Sequence, residues 1–462
     1  MRRVLSIATL YPNAERPSFG TFVARQFEAL AARGDWAVTV INPIGLPPVA
    51  TGRYAALARA ATDAIEHGVE VLRPRFPLVP ALSARWNPSL IARTVLPIAR
   101  RLHAERPFAL VDAQFFYPDG PAAAKIARTL GLPLSIKARG ADIHYWGAQG
   151  FARRRMLDAA RQAAGLLAVS QALKADMAAL GMPGEAITVH YTGLDRAKFR
   201  VRDRAEARAG IASLGVPMGG RLLATVGALI PRKGQALAIR ALALLPADVR
   251  LALAGGGADA AMLRALATEL GLGERVHLLG SVGHEALPRL LSAADVMVLP
   301  AASEGLANAW VEALACGTPI VIAEAGGAHE LLTSPIAGRI VARDAEGIAA
   351  GIAEVLADPP AQQAVAATVE RFSWEANATA LAGYYERLTG NSPPAGGWGM
   401  GWARPRGRLG RQAHPAASRL GCASPSLAAP PAGGRGTGSN PVPAPPLPAC
   451  PLRCRWERSC AR

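Results

Sequence analysis

Ser303-Glu304-Gly305-Leu306-Ala307-Asn308-Ala309-Trp310-Val311-Glu312-Ala313-Leu314-Ala315-Cys316-Gly317-Thr318-Pro319 follows directly on the apolar run 295–299. The run reads as a buried strand, and the stretch between Glu304 and Glu312 as a small-residue turn followed by a helix start. In open α/β sheets ligands bind beyond the carboxyl ends of the strands, and helix N-termini attract anions. Glu304 falls in the turn and Glu312 about one helical turn later. At roughly 1.5 Å rise per residue both carboxylates can face one crevice. Two acceptors beside a donor-rich helix start suit a ligand with hydroxyls at both ends and phosphates between them, as in a nucleotide sugar.

The rest of the chain alternates short apolar strands with helical patterns, the mark of a parallel α/β architecture. Strands are expected at 4–9, 37–41, 69–72, 110–113, 134–137, 166–169 and 187–190. A second series is expected at 222–226, 249–254, 276–279, 296–299 and 319–323. Helical patterns such as 22–32 and 258–270 separate them. Two such series imply two doubly wound, Rossmann-like domains facing a cleft, the natural place for a ligand.

In the second series nearly every strand runs into a glycine-bearing or charged turn. Gly227 precedes Arg232-Lys233-Gly234; Gly255, Gly256 and Gly257 follow 249–254; Gly280 and Val282 follow 276–279; Gly305, Leu306, Ala307 and Asn308 follow 296–299. Parallel strands bring these turns to one sheet edge, and glycine permits close backbone approach to a ligand. Arg232 and Lys233 place two cations at a helix start. That position is unfavourable against the helix dipole unless an anion sits there. The G-x-G-x-x-G turn of dinucleotide-binding proteins is missing from the first strand–helix crossing, which argues against an NAD enzyme. There is no Asp-x-Asp to hold a metal on a diphosphate, so no metal or other cofactor is expected; Arg232 and Lys233 stand in its place.

Glu304 and Glu312 form an E-x7-E pair that resembles the signature of retaining GT-B glycosyltransferases of family 4. The Arg232–Lys233 pair matches that family's cations on the leaving diphosphate. The resemblance covers roughly residues 1–390. It implies that Glu304 contacts the donor sugar, Glu312 the ribose hydroxyls and the backbone of 305–308 the diphosphate, with Arg232, Lys233 and Glu304 as the catalytic set. The stretch 11–31, with Gly20 at a helix start, looks like members of teichuronic-acid and exopolysaccharide type. Lys137-Ala138-Arg139-Gly140-Ala141-Asp142 resembles their R-G-S-D loop, which places Arg139 and Asp142 on the acceptor side. Two departures stand out: Ala307, where relatives carry Gly or Pro, and Arg139, where many carry His. For Asp142, capping of a helix is an equal alternative. His144 and His190 read as structural.

The resemblance implies an acceptor-side domain over 1–195, a donor domain over 196–370 and a helix over 371–390 that returns to the first domain. Its partners are a nucleoside diphosphate sugar and a glycan or lipid-linked acceptor, as in cell-surface polysaccharide synthesis. A GT-B epimerase or phosphorylase, and a catalytically silent nucleotide-sugar-binding subunit, are alternatives that remain open.

The net charge of +17 is unevenly placed. Residues 391–462 hold ten Arg and one Glu, or +9, which leaves +8 on the remainder. No aromatic-interleaved basic stripe is present, so nucleic acid is not an expected partner. A mildly basic body suits an anionic substrate or an anionic membrane surface, and Arg93, Arg100 and Arg101 in 81–106 fit either such a surface or the outer face of a buried helix. The Pro-, Gly- and Arg-rich 391–462 segment lacks a hydrophobic period and reads as disordered. Of five cysteines only Cys316 precedes it, which excludes a disulfide framework and points to a reducing compartment. No apolar run reaches 18 residues, and the apolar 4–10 run lacks a small-residue cleavage site, so it reads as a first strand. The expected location is the cytoplasm, at or near the inner face of the membrane.

Overall fold

The computed structural model describes residues 1–390 except Ala81, Met218 and His284. The 391–462 segment expected to be disordered lies outside the described residues. An eight-stranded sheet runs, in spatial order, Ile187–Val189, Gly165–Ala168, Leu134–Lys137, Leu110–Ala113, Arg2–Ile7, Trp36–Ile41, Val69–Leu72 and Ala64–Glu66. All neighbours are parallel except the last pair. A second, wholly parallel sheet runs Val276–Gly280, Val249–Ala254, Arg221–Val226, Val296–Leu299, Ile320–Ala323 and Gly338–Val341. The central strands are buried along their whole length, as helices on both faces require.

The second sheet has the order 3-2-1-4-5-6 of a doubly wound fold. Its order reverses between Arg221–Val226 and Val296–Leu299, and that is where such sheets open a ligand crevice. The two loops that leave these strands carry Lys233 and Glu304. In the first sheet the reversal lies between Arg2–Ile7 and Leu110–Ala113.

The chain crosses from one sheet to the other through Gly193. A Cβ there would meet the Trp374 ring at 2.1 Å, so only glycine lets the linker pass beneath that indole. Trp374 opens the helix Trp374–Gly390, which packs back on the first domain. Tyr385 meets Trp36 edge-on with ring centroids 5.4 Å apart, and Arg33 donates to the Thr379 hydroxyl at 2.8 Å.

The structure adds four strands to those expected: Ile44–Leu46, Ala64–Glu66, Arg75–Pro77 and Gly338–Val341. Each has only three or four residues, and three contain Gly or Pro. The segment 81–106 resolves into a 3-10 turn and the helix Asn87–Glu105, with Pro97 inside it. Ile91, Val95, Ala99 and Leu102 form its buried face, while Arg93, Arg100 and Arg101 are exposed. Among the described residues no helix is long and apolar enough to cross a membrane.

Candidate functional site

Lys233 ends a short 3-10 turn, Pro231–Lys233, and Gly234 reverses the chain after it at φ +76. A Cβ on Gly234 would lie 2.3 Å from Pro300 O, so the Lys233 turn is pressed against the end of the Val296–Leu299 strand. This brings Lys233 Nζ to 2.6 Å from Glu304 Oε1. The Arg232 guanidinium lies 3.2 Å from the same oxygen and also donates to Ser303 O. Glu304 is only 10% exposed. A shielded pair of cations on one carboxylate keeps far more of its Coulomb energy than an exposed one.

Glu304 and Lys233 line a cavity of about 290 Å³ between the two domains. Gly227, Leu306, Ala307 and Asn308 complete the second-domain wall; Phe22, Arg139, Val169 and Thr192 form the opposite one. The helix Asn308–Ala315 starts at this cavity, and Ala307 at its N-cap supplies no side-chain hydrogen bond. Its first N–H groups therefore suit an anion. Arg139 stacks on Phe22 with its guanidinium 4.9 Å from the ring centroid.

Glu312 does not share this cavity. It lines a smaller adjoining pocket of about 50 Å³ with Arg25, Asp195 and Trp374. Phe22 and Asn308 belong to both walls, so the two glutamates flank one continuous region from different compartments. Burial pushes the Glu312 carboxyl up to about 7, opposed by the nearby Lys198 ammonium. A carboxyl raised by folding stabilises the fold fully below its ordinary range. That contribution is lost as pH rises through about 7, by at most about 1.4 kcal/mol per pH unit. The stability of wild type, followed by urea denaturation between pH 5.5 and 8, should therefore fall more steeply than that of Glu312→Gln. Equal slopes would show that Glu312 does not titrate in this window.

Several expected site residues do other work. Gly255 sits at φ +152, and a Cβ on it would lie 1.9 Å from Gly227 O; one on Gly257 would lie 2.2 Å from Leu229 O. The N–H of Leu229 donates to Gly256 O at 2.9 Å. These glycines pack one sheet-edge loop against the next, and Gly255, Gly256, Gly280 and Val282 do not line the cavity. Gly20, at φ +73, is pressed on the backbone of Leu10 and Tyr11, leaving Phe22 to face the cleft. Gly305 backs onto Arg139 O from the other domain. Asp142 is wholly buried. Its oxygens accept backbone N–H groups of Phe116, Arg139, Gly140 and Ile143 at 2.8–3.2 Å. It shapes the Arg139 loop and offers no oxygen to an acceptor, which corrects the expected role; nor is it a helix cap, since it is the first residue of the turn Asp142–Trp146 and Ala141 stands at the cap.

The contacts that join the domains were not expected from the sequence, although His144 was read as structural. Glu330, on the second-domain helix Ala328–Leu331, accepts the Gln171 N–H at 2.9 Å, the Ala172 N–H at 3.2 Å and the Tyr191 hydroxyl at 2.8 Å. It thus docks on the N-terminus of the first-domain helix Gln171–Leu180. His144 spans the same boundary: its Nε2 donates to Asp176 at 2.9 Å and its Nδ1 accepts the Ser303 hydroxyl at 2.7 Å. A second network was also missed. Lys137 Nζ, fully buried, donates to Gln26 Oε1 at 2.8 Å and to His190 Nδ1 at 2.5 Å, while His190 Nε2 donates to Asn377 O at 2.9 Å. His190 is structural, as expected; Lys137 carried no sequence signal beyond a charge at the end of an apolar strand.

Comparison with known proteins agrees with this division. Residues 20–198 match the family model Glycosyltransferase Family 4 and residues 208–371 match Glycosyl transferases group 1. Among curated proteins, the D-inositol 3-phosphate glycosyltransferase of Mycolicibacterium gilvum is 37% identical over 213 residues, covering 44% of this chain and 47% of that protein. The protein of the same name from Mycobacterium tuberculosis is 37% identical over 216 residues, covering 44% of each chain. The chain spans about half the length of the curated relatives it matches. Among solved structures, Anabaena Alr3699/HepE in complex with UDP aligns with TM-score 0.65 at 22% identity, over 84% of this chain and 100% of that one. Sucrose-phosphate synthase from Thermosynechococcus elongatus aligns with TM-score 0.68 at 22% identity over the same shares. The fold is GT-B.

Proposed function

We propose that this chain, which carries a Glycosyltransferase Family 4 region followed by a group 1 region in a GT-B fold, moves a hexosyl group from a nucleoside diphosphate sugar to an acceptor hydroxyl. The observation that carries the reading is the Arg232–Lys233–Glu304 cluster at the switch point of the second sheet, beside the open helix N-terminus at Asn308. The cations face the place where a diphosphate would gain charge as the anomeric C–O bond to it breaks. Cations already in place stabilise that transition state more than the ground state. Glu304, released from one of its two cations, is placed to accept a hydroxyl of the transferred sugar, and Glu312 to accept the ribose hydroxyls.

The reaction forms a bond from the acceptor oxygen to the anomeric carbon and breaks the bond from that carbon to the β-phosphate oxygen. The acceptor proton passes to the departing diphosphate. Glu304, already tied to two cations, is a poor nucleophile, which disfavours a covalent intermediate; with the retention that the family resemblance implies, the acceptor attacks from the leaving-group face. The acceptor is a sugar or polyol hydroxyl, free or on a lipid carrier, with cell-surface glycan synthesis as the setting. A UDP-sugar is the first donor to try, because UDP-glucose is bound in the similarly folded HepE.

The test incubates the full chain with UDP-glucose and a panel of sugar and polyol acceptors. Acceptor-dependent UDP release and an axial product anomer by NMR are expected. Tight UDP binding without release on any acceptor would favour the silent-subunit reading, and an equatorial product would remove retention.

A further inference from the structure

The first-domain wall of the cavity carries a cation, Arg139, whose guanidinium hydrogen bonds among the described residues all go to neutral oxygens. The Arg139 guanidinium donates from Nε to Gln114 O at 3.4 Å, from a terminal nitrogen to Gln114 Oε1, and at 3.5 Å to Gln26 Oε1. All three are neutral oxygens. Among the described residues no carboxylate lies within ion-pair distance of Arg139. Asp112 is reached only through the Gln114 amide, which donates to it at 2.6 Å. Asp142 spends its oxygens on backbone N–H groups. Glu304, across the cavity, is shared between Arg232 and Lys233.

Lys137 lies beside Arg139 on the same Gln26 oxygen. Burial, and then the Arg139 charge, pushes the Lys137 amine well below its ordinary range. Burial lowers Arg139 only to about 10, opposed by the charges of Asp112 and Asp142 beyond hydrogen-bond reach of the guanidinium. Lys137 is wholly buried behind the wall, so the cation that reaches the cavity from this domain is Arg139. Neutral oxygens only partly offset the loss of hydration of a guanidinium, whereas an anion in the cavity offsets it well. The two glutamines hold the planar fork in one orientation, and the Phe22 face supports it from beneath.

We propose that Arg139 reads an anionic group, a phosphate ester or a carboxylate, on the acceptor. The inference rests on the transfer reading above and deepens it. The donor diphosphate already has its counter-charges on the second domain, in Arg232, Lys233 and the helix start at Asn308. Arg139 stands on the opposite domain, where the acceptor enters. Gln26 and Gln114 are positioning residues for it.

The test measures binding calorimetrically with the full chain saturated in UDP. Inositol 3-phosphate, glucose 6-phosphate and glucuronate are compared with inositol and glucose, for wild type, Arg139→Gln and Arg139→Lys. At least one anionic sugar should bind wild type about tenfold or more tighter than its neutral parent, as a charge-assisted hydrogen bond allows. Arg139→Gln should abolish the preference, Arg139→Lys should restore part of it, and UDP affinity should be unchanged in both. No anion preference in wild type overturns the proposal. So does weaker UDP binding in Arg139→Gln, which would place the guanidinium on the diphosphate. Loss of affinity for UDP-glucuronate alone would move the anion to the donor sugar and equally overturn it. A wild-type chain that binds none of UDP, GDP, ADP and TDP removes the transfer reading itself; nucleotide binding without anion preference removes only this proposal.

Discussion

Replacing Lys233 with alanine should lower turnover by roughly 10²–10³-fold, about 2.7–4 kcal/mol of transition-state stabilisation, the range typical for loss of one pre-positioned group on a developing charge. The side chain is 15% exposed and its ammonium lies 2.6 Å from Glu304. Two consequences act together. The leaving diphosphate loses one of its cations, and Glu304 is left to Arg232 alone. Because the cation acts mainly as charge develops, kcat should fall further than KM rises. Lys233→Arg should retain more activity than Lys233→Ala, though not all, because a guanidinium fork does not occupy the place of a point charge. A variant within threefold of wild type in kcat would remove Lys233 from the transition-state machinery. Removing one partner of this shielded pair also lowers stability, so the melting temperature of each variant is measured to separate a folding defect from a catalytic one.

Gly255→Ala should be among the most damaging single-methyl substitutions in the chain, at about 2–4 kcal/mol of stability. Two independent costs meet there. The backbone sits at φ +152, and the added Cβ would lie 1.9 Å from Gly227 O. Something must move, and what moves is the loop that carries Lys233. Gly273→Ala is the control: a Cβ there meets nothing within 4 Å and its φ is not in the positive range. It should shift stability by no more than about 0.5 kcal/mol. Urea denaturation of both variants checks the contrast. Equal stabilities would mean that the Gly227 and Gly255 loops are free to separate.

This glycine shows where reading the sequence succeeded and where it misled. A Gly at every sheet-edge turn was correctly read as a sign of close backbone approach. The backbone that approaches Gly255 and Gly257 is that of the neighbouring loop, and one sequence does not distinguish such an approach from that of a ligand. The strands were legible because parallel strands buried on both faces are continuous apolar runs. The four that escaped have three or four residues each, and Gly338–Val341 begins on a glycine. The Glu304 turn and the Arg232–Lys233 pair were legible because each directly follows a strand end, where topology alone fixes the sheet edge.

Contacts between domains were illegible for the opposite reason. Glu330 and Gln171 stand 159 positions apart, as do His144 and Ser303, and nothing local marks them as partners. The same holds for Asp142. Its spacing from Arg139 fitted an acceptor-facing loop, but its burial, visible only in three dimensions, turned both oxygens to the backbone. Arg139 lay between these cases: its departure from the family pattern was plain in sequence, whereas the neutral partners of its guanidinium required the fold.

The most direct measurement is a calorimetric titration of the full chain with UDP, GDP, ADP and TDP, repeated on Lys233→Ala. The account predicts that one of the four binds with a stoichiometry of about one, and that the variant weakens it at least tenfold, about 1.4 kcal/mol. Binding of none of them, or equal affinity in wild type and variant, would contradict the claim that Arg232, Lys233 and Glu304 form the nucleotide-sugar site.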